Sequence, residues 1–388
     1  RHSEAAHWLG EALAVPGGEP SAERAGAEAV HLLSRIEPGP APGAAPEATD
    51  RARMRELAER LLTDPAPPSP FNVFGPVLLA YLDDETAALA VFGRLAGEAD
   101  VWTAGLAHLF RAQLHENAGD LDAVRADVVA ALACFRQAGD RWGQAATLPM
   151  RAQLRQYDGD LDGALADLTD AEALSAEFGS LTLGDQIDRD LRWADLHLRR
   201  GDTSRASRAI AAARHRASRT ATPALRYLVE VRAAALCLLT DDVTPAAALL
   251  DDGGVSSPIG HVRALAATVR SALCLARDDP AGADEALGEA YTAAVQTGDR
   301  PMLAVVTVQV AALATARGHH TAAAVLLGAA SRLRGAHDRT DPQVHRLTGE
   351  GQAALGVAAF DGAYGKGWEL TVEAAVSEAD PARGPDAG

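Results

Sequence analysis

Small, leucine and aliphatic positions recur along this chain six times in one order around a turn. The turns begin at Gly119, Gly159, Gly201, Asp241, Asp278 and Gly318. Five residues before each stands Leu114, Leu154, Leu196, Leu236, Leu273 or Leu313, and seven before stands Ala112, Ala152, Ala194, Ala234, Ser271 or Ala311. Five residues after come Val124, Ala164, Ala206, Ala246, Ala283 and Ala323. Nine after come Val128, Leu168, Ile210, Leu250, Leu287 and Leu327, and twelve after come Ala131, Ala171, Ala213, Gly253, Ala290 and Ala330. The i, i+4, i+7 spacing after each turn is that of one helix face. A helix face repeated at a period of about 40 residues predicts stacked helical hairpins rather than one globular core.

The expected fold is therefore all-α: a right-handed superhelical solenoid of tetratricopeptide-like hairpins. The tetratricopeptide period is about 34 residues, and HEAT-type units of about 40 are the rival by length. Small–Leu–turn–small around a mid-repeat Gly-Asp favours the tetratricopeptide type. Glycine at the turn permits a left-handed residue, and Asp120, Asp160, Asp202 and Asp242 are the candidate caps of the helices that follow. A second break recurs between units at Gly139-Asp140, Gly179 and Gly298-Asp299.

Four regions follow. Residues 1–82 read as irregular N-terminal hairpins with Pro/Gly loops at 37–48 and 64–70, and helices are expected at 21–36, Asp50–Leu62 and Phe71–Leu82. The array covers 83–336, opening on a degenerate unit whose second helix is Glu85–Ala96. Capping helices occupy 337–380, and 381–388 is a tail. Within the cap, Asp341-Pro342 opens a helix to about Leu355, Gly356–Lys366 reads as short and Gly-interrupted, and Trp368–Ala379 as a last helix. Phe360, Tyr364 and Trp368 share one helix face and are expected to cover the last hairpin. The chain opens without Met, and Ala5, Leu9 and Ala12 already fall in the repeat's columns. A piece of a longer polypeptide, beginning just after a turn, is expected.

Composition narrows the function. Hydrophobic residues make up 48% of the chain but aromatics only 4%, and Ala dominates, which suits closely packed helices. A formal charge of −17 argues against direct binding of nucleic acid or an anionic membrane. Basic charge is almost all Arg, with Lys366 the one lysine, a sign of GC-rich codon usage. Cys134, Cys237 and Cys274 lie too far apart for a disulfide framework or metal pair and read as buried small hydrophobes. Neither a signal peptide nor a membrane span is recognisable, so a cytoplasmic location is expected.

Catalytic motifs fail on inspection. Gly365-Lys366 lacks the phosphate-loop pattern, because Phe360 and Gly367 stand where Gly and Ser/Thr are needed. His115-Glu116 starts a zincin pattern that Gly119 ends. His319-His320, and His337 and His345 beside Asp338 and Asp341, read as solvated loop residues rather than metal ligands. No Gly-x-Ser-x-Gly elbow and no Gly-x-Gly-x-x-Gly after a strand occurs. The chain is read as a binding protein without enzyme activity, metal or cofactor.

The end of the chain carries a resemblance. The run Ala322 to Gly335, then Asp341-Pro342, Ala354-Leu-Gly356, Phe360, Ala363-Tyr364, Gly367 and a final Ala-rich helix is similar to the C-terminal ends of large actinobacterial transcription regulators of the SARP and ATP-binding LuxR types. Trp8-Leu9-Gly10-Glu11-Ala12-Leu13 likewise resembles an early hairpin of such arrays. These proteins belong to the STAND class, which joins a DNA-binding domain, a nucleotide-binding switch and a tetratricopeptide sensor. The resemblance implies a sensor that binds an effector or partner and contacts the nucleotide-binding domain of its own polypeptide. A stand-alone tetratricopeptide scaffold shares every feature above and remains the alternative.

In tetratricopeptide folds the concave face is built by each first helix, at positions two, three and six before the turn. Those positions nominate Gln113, Glu116, Asn117, Gln153, Gln156, Tyr157, Asp195 and Arg199 as a polar half of a groove, and Leu238, Leu239 and Leu275 as an apolar half. The apolar half predicts either cover by the C-terminal helices or a docked partner or hydrophobic effector.

Overall fold

The computed structural model describes residues 2–15, 21–36, 48–62, 69–98, 100–178, 183–219, 223–251 and 259–383. The loops expected at 37–48 and 64–70, and the break at Gly179, fall largely or wholly outside them. Every regular element among the described residues is helical. An irregular entry comprises α1 (His2–Ala14), α2 (Ala22–Ile36), α3 (Ala48–Leu61), α4 (Phe74–Tyr81) and α5 (Glu85–Glu98). Its core gathers Ala25, Ala29, Met54, Leu57, Leu61 and Leu78.

Six hairpins follow: α6 (Val101–Asn117) with α7 (Leu121–Gln137), α8 (Arg141–Tyr157) with α9 (Leu161–Phe178), and α10 (Leu183–Arg199) with α11 (Thr203–Ala217). Next come α12 (Pro223–Leu239) with α13 (Val243–Asp251), α14 (Gly260–Ala276) with α15 (Pro280–Thr297), and α16 (Arg300–Ala316) with α17 (His320–Arg334). Each first helix spans 17 residues and stops two residues short of its turn. All six turn residues adopt positive φ, including the non-glycines Asp241 and Asp278. Asp tolerates that conformation better than most residues with a side chain.

The sequence columns are the core. The residues seven before, and five, nine and twelve after, each turn are buried wherever they are described. Alanine there lets paired helices approach closely, and the Leu and aliphatic columns fill the seam between them. Three of the four expected caps form: the carboxylates of Asp120, Asp160 and Asp202 accept the backbone N–H three residues on, at 2.9–3.1 Å. Asp242 departs from this. Its third residue is Pro245, which has no N–H, and the carboxylate accepts the Thr240 hydroxyl instead, at 3.2 Å.

The cap also differs from the expectation. After α18 (Pro342–Leu355) comes an unbroken α19 (Val357–Trp368), so Gly362, Gly365 and Gly367 do not interrupt it. Gly367 lies against the α17 backbone at Val325, and Gly328 of α17 against Tyr364; a Cβ at either would collide with a main-chain carbonyl. Two helices that cross this closely need glycine at the crossing, which offsets its helix cost. Trp368 thus ends α19 rather than opening the last helix, α20 (Val372–Glu378), which Thr371 caps. Phe360, Tyr364 and Trp368 do face the last hairpin: Phe360 is buried, and Trp368 packs on His337 with ring centres 4.0 Å apart.

Candidate functional site

The array curls until its first hairpin meets its last. Gly119, in the α6–α7 turn, packs backbone to backbone against Leu333 and Gly335 at the end of α17, too tightly for a Cβ at Gly119 or Gly335. Arg300, the first residue of α16, donates Nη1 to the Ala118 carbonyl at 2.5 Å. This seam closes the inner side of the curl, joining the turn end of the first hairpin to the end of the last hairpin where α16 begins and α17 stops.

Of the positions two, three and six before each turn, those on α8 and α10 gather on that inner side. Gln153 Nε2 donates to Tyr157 Oη at 3.1 Å. The Gln156 side-chain oxygen, with the amide oriented to receive it, lies 3.2 Å from Arg199 Nη2. Arg199 Nε donates to Asp195 at 3.0 Å, and its Nη1 donates across the interior to Asp338 at 2.7 Å and to the Thr340 hydroxyl at 2.9 Å. Asp341 lies 3.6 Å from Nη2. So α8 and α10 are tied to the linker between α17 and α18. Glu116 stands half-buried on α6 beside Gln153; Gln113 and Asn117, on the same helix, are exposed.

The electrostatics follow from the enclosure. Burial opposes the charge on Arg199, but Asp195, Asp338 and Asp341 together outweigh it and hold its pKa above the ordinary value. Burial pushes the Glu116 carboxyl up, against the opposing pull of Arg192 and the Gln153 hydrogen bond. Burial also raises the Tyr157 phenol, opposed by Arg334 and Gln153.

The nominated leucines lie elsewhere. Leu238 packs into the core of α12–α14 with Val231, Leu250 and Leu265, and Leu275 packs against the core of the last two hairpins. Leu239 is exposed. They do not meet the polar cluster. Cover of the array by C-terminal helices is direct: α18 contributes Leu347 to the core of α16 and α17, and Gln343 donates to Gln309 of α16 at 2.6 Å.

Sequence reasoning missed Arg192, Asp338, Thr340, Asp341, Arg300 and Arg334. Arg192 pairs with Asp188 at 3.0 Å one turn above Asp195, and continuing the column backward along α10 would have found it. Asp338 and Asp341, read as solvated, serve Arg199. The three cysteines are half-buried free thiols. A cavity of about 290 Å³ between α7, α8 and α9 is lined by Arg136, Arg141, Gln144, Leu148 and Leu174 among others. Among the described residues no His, Cys, Asp and Glu side chains gather as a metal site, and no helix is long and apolar enough to cross a membrane.

No family model matches the chain, and no curated protein matches it. Among solved structures it is similar to a STAND protein with a tetratricopeptide repeat sensor from Pyrococcus horikoshii, at 13% identity and a TM-score of 0.39. That overlap takes in 89% of this chain and 55% of the other, so the chain spans about half the length of that protein. An overlap this loose assigns no residue roles, and the site rests on its own geometry.

Proposed function

We propose that this array is the non-catalytic sensor region of a larger bacterial transcriptional regulator. Its inner face takes a small effector or a protein partner, and the array thereby controls an ATP-binding switch and DNA-binding domains carried outside this chain. The observation behind the reading is the convergence of Gln153, Gln156, Tyr157, Asp195 and Arg199 from two successive hairpins, tied through Arg199 to the linker after the last one. A molecule bound there touches two successive hairpins and, through Arg199, the linker after the last one, so its binding energy can act on the curvature of the array. Curvature is a mechanical output that a neighbouring domain can read.

The test replaces Gln153, Tyr157 and Arg199 with Ala in the full-length regulator. Loss of induction at its target promoter, in a protein that still folds, supports the reading. Unchanged induction together with unchanged partner capture overturns it.

A further inference from the structure

The cavity of about 290 Å³ between α7, α8 and α9 shares no lining residue with the inner-face cluster. It lies at a joint of the array, because α7 ends one hairpin while α8 and α9 make the next. Leu132 and Leu148 belong to the core that joins these two hairpins, and Leu174 packs against that core; all three line the cavity. Its floor is therefore apolar. The volume falls just under the ~300–1,000 Å³ of pockets that hold drug-sized molecules, which suits a smaller occupant.

The charged lining runs against the chain's formal charge of −17: three guanidiniums, of Arg136, Arg141 and Arg151, face one carboxylate, of Asp170. Two of the three are partly spent. Arg151 donates Nε and Nη2 to buried Asp167, at 2.9 and 2.6 Å, and Arg141 donates Nη2 to Glu177 at 2.6 Å. Arg136, in the last turn of α7, has no ion pair and no side-chain hydrogen bond among the described residues, and no ion pair joins it to Asp170. Arg136 and Arg141 flank the turn between α7 and α8, so two forks stand at one end of an apolar cleft. Glu177 marks that same end, and Asp170 stands two turns earlier on α9, about 10 Å along the helix.

We propose that this cavity is a second ligand site, for a small carboxylate with an apolar body. The carboxylate meets the fork of Arg136, whose planar guanidinium matches two oxygens at once, with Nε and Nη1 of Arg141 beside it. The Arg141–Glu177 pair is already a carboxylate held at this place. The body lies along Leu132, Leu148 and Leu174, and each methylene taken out of water there tightens binding about fourfold. Asp170 opposes the anion from two turns away, which the two forks outweigh. Held between successive hairpins, the occupant sets the packing at one joint of the array. The site stands whether or not the inner face binds anything.

The whole chain is titrated by calorimetry with sodium butanoate and sodium hexanoate at constant ionic strength, with hexanamide as the uncharged control. Saturable binding of hexanoate is expected, about fifteenfold tighter than butanoate because two further methylenes are buried. Hexanamide is expected not to saturate. Arg136→Met, which keeps an apolar stem and removes the charge, is expected to weaken hexanoate about tenfold, and Asp170→Asn to tighten it about twofold. Both residues are exposed, so neither change disturbs the core. The site is overturned by any of four results: no saturable hexanoate binding, equal affinity for butanoate, binding of hexanamide as tight as hexanoate, or an Arg136→Met variant that binds like the parent. Should induction still depend on Gln153, Tyr157 and Arg199 in that case, the sensor reading stands and only this site falls.

Discussion

The first two hairpins and the last share a backbone plan but differ in what lies between their helices. Eight residues after the turn, α7 carries Asp127 and α9 carries Asp167, both buried. Asp127 lies 2.7 Å from His108 Nδ1 and 3.3 Å from Arg111 Nε, both on α6. Asp167 accepts Arg151 Nε at 2.9 Å and Nη2 at 2.6 Å, with Arg155 Nη1 at 3.1 Å, both from α8. The same column in α17 is Leu326, buried like Val310 and Ala314, which hold the corresponding columns of α16. One geometry accommodates both chemistries because the turn and the alanine columns set how closely the helices approach. The facing position is then free to be ionic or apolar. The ionic seams restrict which helix pairs with which, whereas the apolar seam supplies burial.

The contrast can be broken from either end. Removing both cations from one ionic seam, with Arg151→Met and Arg155→Met, leaves the Asp167 carboxylate buried and uncompensated. A loss of about 3–5 kcal/mol is expected, seen as faster hydrogen exchange confined to α8 and α9. Exchange is the suitable readout because a repeat array need not unfold in one step. Truncating the apolar seam with Leu327→Ala opens a cavity and is expected to cost about 2–5 kcal/mol. That loss belongs to α16–α19, with the α8–α9 exchange unchanged. Converting the ionic seam to the apolar kind with Asp167→Leu is expected to leave stability unchanged or raise it by about 1 kcal/mol, since Arg151 and Arg155 are partly exposed and can turn to solvent. A large loss there would mean the ion pairs stabilise the fold rather than select it.

The smallest effect concerns Glu116. A carboxyl whose folded pKa is raised holds its proton more tightly folded than unfolded. Stability therefore falls as pH rises from the ordinary 4.5 through the raised folded value. Glu116→Gln is expected to remove that fall, so denaturation midpoints of variant and parent should separate with rising pH in the variant's favour. Coincident curves would show that Glu116 is solvated like any surface carboxyl.

The hairpins were legible because each repeats the same columns, and a periodic demand on residue size leaves a periodic trace. Tyr157 and Arg199 could be nominated for the same reason. Their partners could not: Asp338 and Thr340 meet Arg199 through chain closure, which has no period. Glycines misled in α19 because a helix-breaking residue and a helix-crossing residue look alike until the crossing helix, here α17 at Gly328, is in place. Asp242 misled because a cap depends on its third neighbour, and Pro245 cannot supply the N–H.

The seam has a consequence for how the protein is made. Arg300 reaches Ala118 across 182 residues of sequence, and Arg199 reaches Asp338 across 139. Closing so long a loop adds little thermodynamic penalty, because each doubling of length costs only about 0.6 kcal/mol. Its timing is another matter. A chain emerging from the ribosome can form α6 through α15 by local zipping, yet the α6–α7 turn has no counterpart until Gly335 has cleared the exit. Until then the inner face is an open polar strip, and the curl that encloses it must wait for the end of α17.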